Sequence, residues 1–133
     1  MNSRVLLAGR ARGSVLVLDE PLSIWGGLDP TTGEIIDQRH PQAGAVVSGR
    51  VLVMPTGRGS SSSSSVLAES IRLGTAPAAI VLSAPDDIVL LGAMVAEELY
   101  GTTCPVVVAD AETYATLREL TVVEVTESGI HIG

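Results

Sequence analysis

The stretch Val51-Leu52-Val53-Met54-Pro55-Thr56-Gly57-Arg58-Gly59-Ser60, running on through Ser65 into Val66-Leu67-Ala68-Glu69, decides how the chain is read. Four apolar residues make a strand. A glycine-punctuated turn with one arginine follows, and six consecutive serines lead into a helical pattern. Strand, glycine turn and helix start aim backbone N–H groups and the positive end of a helix dipole at one spot, a ready anion site. Such a serine run also reads as a flexible linker. Its flanks favour order, because the preceding strand is wholly apolar and Val66, Leu67, Ser70, Ile71 and Leu73 supply a helical face. Serine is also a favoured N-cap, able to accept from an orphan N–H of the first turn.

Composition narrows the classes. A chain of 133 residues with 46% hydrophobic content is expected to form one domain, residues 1–133, with a proper core. That core is aliphatic, since there is no Phe, one Trp and two Tyr. All eight basic residues are arginines. Without lysine there is no Schiff-base chemistry, and the Gly57-Arg58-Gly59-Ser60 turn is not a Walker-type phosphate loop. A net charge of −7 argues against nucleic acid or an anionic membrane as partner. The single Cys104 cannot form an internal disulfide or by itself hold an iron–sulfur cluster. With only His40 and His131 as imidazoles, no self-contained transition-metal site is expected. The apolar run Val5–Gly9 is too short for a signal peptide, and no segment approaches spanning length, so a cytoplasmic, acidic, soluble domain is expected.

The first half reads as β. Arg4–Ala8 and Ser14–Leu18 are short apolar runs whose glycine-bracketed link, Gly9 to Gly13, fits a hairpin or β-turn connection. Pro21 to Gly49 is rich in turn residues, with only Glu34-Ile35-Ile36 resembling a strand; a structureless loop of that length is unusual in a compact domain unless it serves a site or an interface. The second half alternates. A helix from about Ser63 to Leu73 is followed by a strand over 78–82 and a helical pattern within Asp86–Tyr100 that Gly101 ends. A strand over 105–108 precedes a helix that Asp110 caps and that runs to about Leu117. Strands at 121–125 and 130–132 turn at Glu127-Ser128-Gly129. Strands alternating with helices predict an α/β fold with a mixed, partly parallel sheet and flanking helices, in β/β/α layers rather than a pure doubly wound arrangement.

Several chemistries are weighed and set aside. No Gly-x-Ser-x-Gly elbow is present, and the only histidine downstream of the serines is His131, which argues against a self-contained serine hydrolase. His40 stands in Gln38-Arg39-His40-Pro41, where the proline disfavours a helix start, so a turn-fixing or partner-facing role outranks a phosphohistidine. Asp86-Asp87 and Glu97-Glu98 read as a helix N-terminus and a solvated face, and Cys104 as a small core residue. Trp25, in a glycine-rich loop, reads equally as an interface anchor or a core residue. Arg58 offers a bidentate contact to a carboxylate or phosphate. A serine beside it becomes a plausible base only if helix terminus, backbone N–H groups and a cation stabilise the emerging alkoxide.

At these residues the chain resembles the swivel domain, or small subunit, of aconitase X. The resemblance is carried by Gly49-Arg50-Val51-Leu52-Val53, Pro55-Thr56-Gly57-Arg58-Gly59-Ser60-Ser61 and Gly74-Thr75-Ala76-Pro77-Ala78-Ala79-Ile80-Val81. Upstream, Glu20-Pro21-Leu22-Ser23, Trp25-Gly26-Gly27-Leu28-Asp29-Pro30-Thr31-Thr32-Gly33 and Asp37-Gln38-Arg39-His40-Pro41 fit the same family. It implies a swivelling β/β/α fold and one half of a hydro-lyase that is inactive alone. It also implies a large catalytic partner subunit bearing an iron or iron–sulfur cluster that assists departure of the hydroxyl, with no cofactor on this chain. Ser60 aligns with the serine that serves aconitases as alkoxide base; Arg58, Gly59 and Ser61 become candidate substrate-binding residues. The turn departs from the aconitase pattern, with the arginine before the serines and Ser62 where aconitase has arginine. Members of the family dehydrate small hydroxy acids, cis-3-hydroxy-L-proline or phosphomevalonate. The arginine-only, Ala/Val-rich composition tilts the expectation to cis-3-hydroxy-L-proline, giving a pyrroline-2-carboxylate, with phosphomevalonate second. A non-catalytic swivel module that binds an anion or a partner is the alternative of another class.

Overall fold

The computed structural model describes residues 1–58 and 61–133. Its centre is a block of four parallel strands, β2 (Ala11–Val17), β3 (Val51–Met54), β4 (Ala79–Leu82) and β5 (Val106–Ala109). Strands β3, β4 and β5 are near-continuous Val, Ile, Leu and Ala runs, as strands buried on both faces require. Antiparallel strands flank the block: β1 (Ser3–Leu7) pairs with β5, while β6 (Val122–Thr126) pairs with β2 and with β7 (Gly129–Ile132). The order is β1-β5-β4-β3-β2-β6-β7. The sheet curls until its ends approach, so that a Cβ placed on Gly129 of β7 would meet the Ser3 hydroxyl of β1. The result is a nearly closed, mixed sheet with flanking helices.

Alternation along each strand divides the interior in two. Leu52, Met54, Ile80, Leu82 and Val106 face helices α2 (Ser62–Leu73) and α3 (Asp87–Tyr100), whose Leu67, Ile71, Val89 and Ala93 complete one core. Val51, Val53, Val81 and Val107 point the other way. They meet Val123, Val125 and Ile130 inside the curl, with Leu117 of helix α4 (Ala111–Leu117). Helices α2 and α3 lie so close that a Cβ on Gly92 would stand 2.8 Å from the Ser64 carbonyl oxygen. Gly101, at φ 69°, ends α3. No helix among the described residues is long and apolar enough to cross a membrane.

Two expectations are corrected. Strands β1 and β2 form no hairpin: β2 is one edge strand of the parallel block and β1 lies beyond the other, next to β5, and Gly13 belongs to β2 rather than to the link. A hairpin would have put β1 in the place of β6 beside β2 and left the outer edge of β5 unpaired, whereas the observed order covers both edges. The Pro21–Gly49 segment is not a structureless loop. It buries Leu22, Ile24, Leu28, Ile35 and Val47 in the helix-side core, and Glu34-Ile35 makes isolated bridges to Val46 and Leu28. Within it a single turn, α1 (Ile24–Gly27), is broken at Trp25 and Gly26. His40 is buried there: its Nδ1 accepts the Gln42 N–H at 3.0 Å, so Nε2 carries the proton donated to the Glu20 carbonyl at 3.1 Å. It fixes the loop.

Candidate active site

The turn after β3 leaves the sheet at the carboxyl end of the parallel strands, the end at which parallel α/β sheets and barrels place their ligands. Residues 55–58 are held from several directions. The Pro55 carbonyl accepts from the backbone N–H of Ser83 at 3.0 Å and from its hydroxyl at 2.8 Å. The Gly57 N–H donates to Asp86 Oδ2 at 2.8 Å, and the Arg58 N–H to the Leu22 carbonyl at 3.1 Å. A Cβ at position 57 would lie 2.7 Å from Asp86 Oδ2 and 3.1 Å from Val89 Cγ2, so any larger residue would push the Asp86 carboxylate out of its present place.

Helix α2 starts directly beyond the turn, and its first serines serve neighbouring segments. Ser63 Oγ accepts the Trp25 N–H at 3.0 Å, and Ser64 Oγ donates to the Ile88 carbonyl at 2.7 Å. Both are buried. Ser61 occupies the N-cap, but its backbone is αR (φ −59°, ψ −20°) and its side chain makes no capping hydrogen bond. The capping role expected of serine is therefore not filled by Ser61, because capping geometry starts from an extended residue. Leu73, assigned to the apolar face, is exposed; Ala68 lies against the core instead.

Of the expected site residues, Gly59 and Ser60 lie outside the described residues. Arg58 and Ser61 are exposed on either side of them. The Arg58 guanidinium meets Glu20 at 3.8 Å, with both side chains more than half exposed, a loose pair of little intrinsic strength. Arg58 shares a cleft with Leu22, Ile24, Gly57, Ser63, Asp86, Ile88 and Val89. That cleft measures about 30 Å³, room for one water and far below what a hydroxy acid fills. A wider groove of about 430 Å³ between β1 and the ends of β4 and β5 holds Arg4, Ser83 and Asp110, but neither Arg58 nor Ser61, the expected site residues among those described. Trp25 stands 58% exposed beside the start of α2, resolving its open assignment against the core.

No group of three or more His, Cys, Asp or Glu that could hold a metal ion occurs among the described residues. Cys104 is buried just ahead of β5, and burial pushes its thiol up to about 12, so it offers no thiolate. The residues described do not fit an iron site. Sequence reasoning noted Asp86 and Gly57 separately but missed their contact and the Glu20 partner of Arg58. Only the N-capping character of Asp86 was visible locally.

Comparison with known proteins agrees with this architecture. The family model described as the aconitase X swivel domain matches residues 1–132. A cis-3-hydroxy-L-proline dehydratase of Pseudomonas aeruginosa is 52% identical over 103 residues, 77% of this chain and 18% of that protein, so the chain spans under a fifth of its length. The phosphomevalonate dehydratase small subunit of Methanothermobacter thermautotrophicus is 45% identical over 96 residues, 72% of this chain and 73% of the subunit. The crystal structure of Thermococcus kodakaraensis aconitase X, holo-form, superposes with a TM-score of 0.84 at 29% identity, covering 99% of this chain and 96% of that one.

Proposed function

Since the chain belongs to the aconitase X swivel-domain family, we propose that it acts as the small component of a hydro-lyase, with Ser60 as base and cis-3-hydroxy-L-proline as substrate. The observation that carries the choice of substrate is the 52% identity to the Pseudomonas aeruginosa enzyme of that name. Phosphomevalonate is the second reading, favoured by the small subunit whose length this chain matches more evenly.

In this reading the C2–H and C3–O bonds of the hydroxyproline break, a C2=C3 double bond forms and water leaves, giving a pyrroline-2-carboxylate. The difficulty is the proton, because a carbon acid beside a carboxylate is weak and a serine hydroxyl is a poor base. Arg58 would trade its loose Glu20 contact for the substrate carboxylate, neutralising the charge that otherwise opposes a carbanion next to it. Ser61 and the first turn of α2 would add hydrogen-bond donors beside the Ser60 oxygen, and Gly59 would let substrate approach the backbone. A cleft of about 30 Å³ needs a second surface to enclose substrate. A larger partner component would supply that surface and would carry the iron or iron–sulfur cluster, for which this chain's described residues are unsuited.

The test is turnover of cis-3-hydroxy-L-proline by the chain reconstituted with its larger, cysteine-bearing component, with phosphomevalonate assayed in parallel. Ser60→Ala should lower kcat by about 10³-fold or more while the two components still co-purify. Near-wild-type turnover in that variant removes Ser60 as the base. Failure to retain any larger chain favours a non-catalytic binding module.

A further inference from the structure

We propose that Asp86 is a positioning residue whose carboxylate fixes the arginine- and serine-bearing turn against helix α3; its effect on turnover rests on the dehydratase reading above. The two carboxylate oxygens are divided between two tasks. Oδ1 accepts the N–H groups of Ile88 at 2.9 Å and Val89 at 3.0 Å, capping α3. Oδ2 accepts the Gly57 N–H at 2.8 Å, across a sequence separation of 29 residues. A cap needs only one acceptor oxygen, which asparagine supplies as well as aspartate. The second oxygen is committed to the turn.

The surroundings show how much of the turn depends on that bond. Pro55 is held by Ser83 and Arg58 by Leu22, so Asp86 fixes the intervening Gly57. Ser83 and Asp86 both lie between β4 and α3, so two of the three supports among the described residues come from one connection. Gly57 has no Cβ to keep the carboxylate away, which lets this short contact form. Ser60 follows three residues later. A reacting group must be held within fractions of an ångström, and a misplacement of 1 Å costs about 10²-fold in rate. The turn therefore carries its catalytic residues on a tether that α3 anchors.

Asp86→Asn separates the two tasks. Its carbonyl oxygen can keep the α3 cap, but its amide would then present N–H to N–H at Gly57. Asp86→Ala removes both. We would measure thermal unfolding and Gly57 amide hydrogen exchange on the full chain, and kcat and KM for cis-3-hydroxy-L-proline on the reconstituted complex. For Asp86→Asn the expected result is a nearly wild-type Tm, Gly57 exchange faster by about tenfold or more, and kcat lower by about 10- to 100-fold with KM within about threefold. Asp86→Ala should show the same kinetic loss with a further drop in Tm. Unchanged Gly57 exchange in Asp86→Asn overturns the tether. Faster exchange with unchanged kcat, or losses of kcat that follow Tm alone across both variants, overturns the positioning role. Should Ser60→Ala prove fully active, the serine-base reading falls, while Gly57 exchange still decides whether Asp86 holds the turn.

Discussion

Helices α2 and α4 both follow a strand of the parallel block, yet their first turns are secured in different ways. Between β5 and α4 stands one residue, Asp110, in extended conformation (φ −71°, ψ 172°), whose carboxylate accepts the Thr113 N–H at 2.8 Å. The helix caps itself. Between β3 and α2 lie residues 55–61, and the capping position holds an αR serine with no side-chain capping bond. Helix α2 is secured sideways instead, through Ser63 to Trp25, Ser64 to Ile88, and the close passage of Gly92. A helix start stabilised by its neighbours can leave its end to other uses, as an anion site requires. The self-capped start of α4 already commits one of its donors to its own aspartate.

Lateral support should show its strength first. Gly92→Ala places a methyl 2.8 Å from a backbone oxygen that no rotamer change can move, so α2 and α3 must separate. The variant should lose about 1–3 kcal/mol by urea unfolding, despite alanine's better helix propensity. A gain in stability would mean that α2 does not depend on this contact.

Asp110→Ala should come next, lowering Tm by a few degrees at neutral pH. Its carboxyl is held below the ordinary value of 3.8, chiefly by the backbone N–H of Thr113. Because the folded-state value is the lower one, this stabilisation is complete above the ordinary value and is lost as pH falls through the folded one. The Tm difference between wild type and variant should therefore close on acidification; a difference independent of pH would deny the capping role. Ser61→Ala should have the smallest effect, within about 0.5 kcal/mol of wild type. A loss comparable to that of Asp110→Ala would erase the contrast between the two helix starts.

What could be read from the sequence was mostly local. The strands 51–54, 79–82 and 106–109 are apolar runs bounded by turn residues, and Asp110 and Gly101 mark helix ends through chemistry contained within a few residues. The hairpin expected between β1 and β2 failed because pairing is decided by which edges the completed sheet leaves open, and the strands that cover those edges lie about a hundred residues apart. The 21–49 segment has no period to betray its five core residues. At the site, the turn and its arginine were legible. The Asp86–Gly57 bond was not, since it joins segments 29 residues apart, each of which has an ordinary local explanation.

The lone thiol of Cys104 has a practical consequence. It lies 2% exposed in the wall of a groove of about 160 Å³ that Ile71, Gly74, Ala76 and Pro77 also line, and its Sγ donates to the Pro77 carbonyl at 3.5 Å. Protonated and buried, it reacts slowly while the 102–104 segment stays bonded to Pro77. Alkylation therefore reports opening of the Cys104–Pro77 contact, and with no second cysteine in the chain the signal has one source. The fold contains its own timer for local unfolding, readable by mass and needing no introduced label.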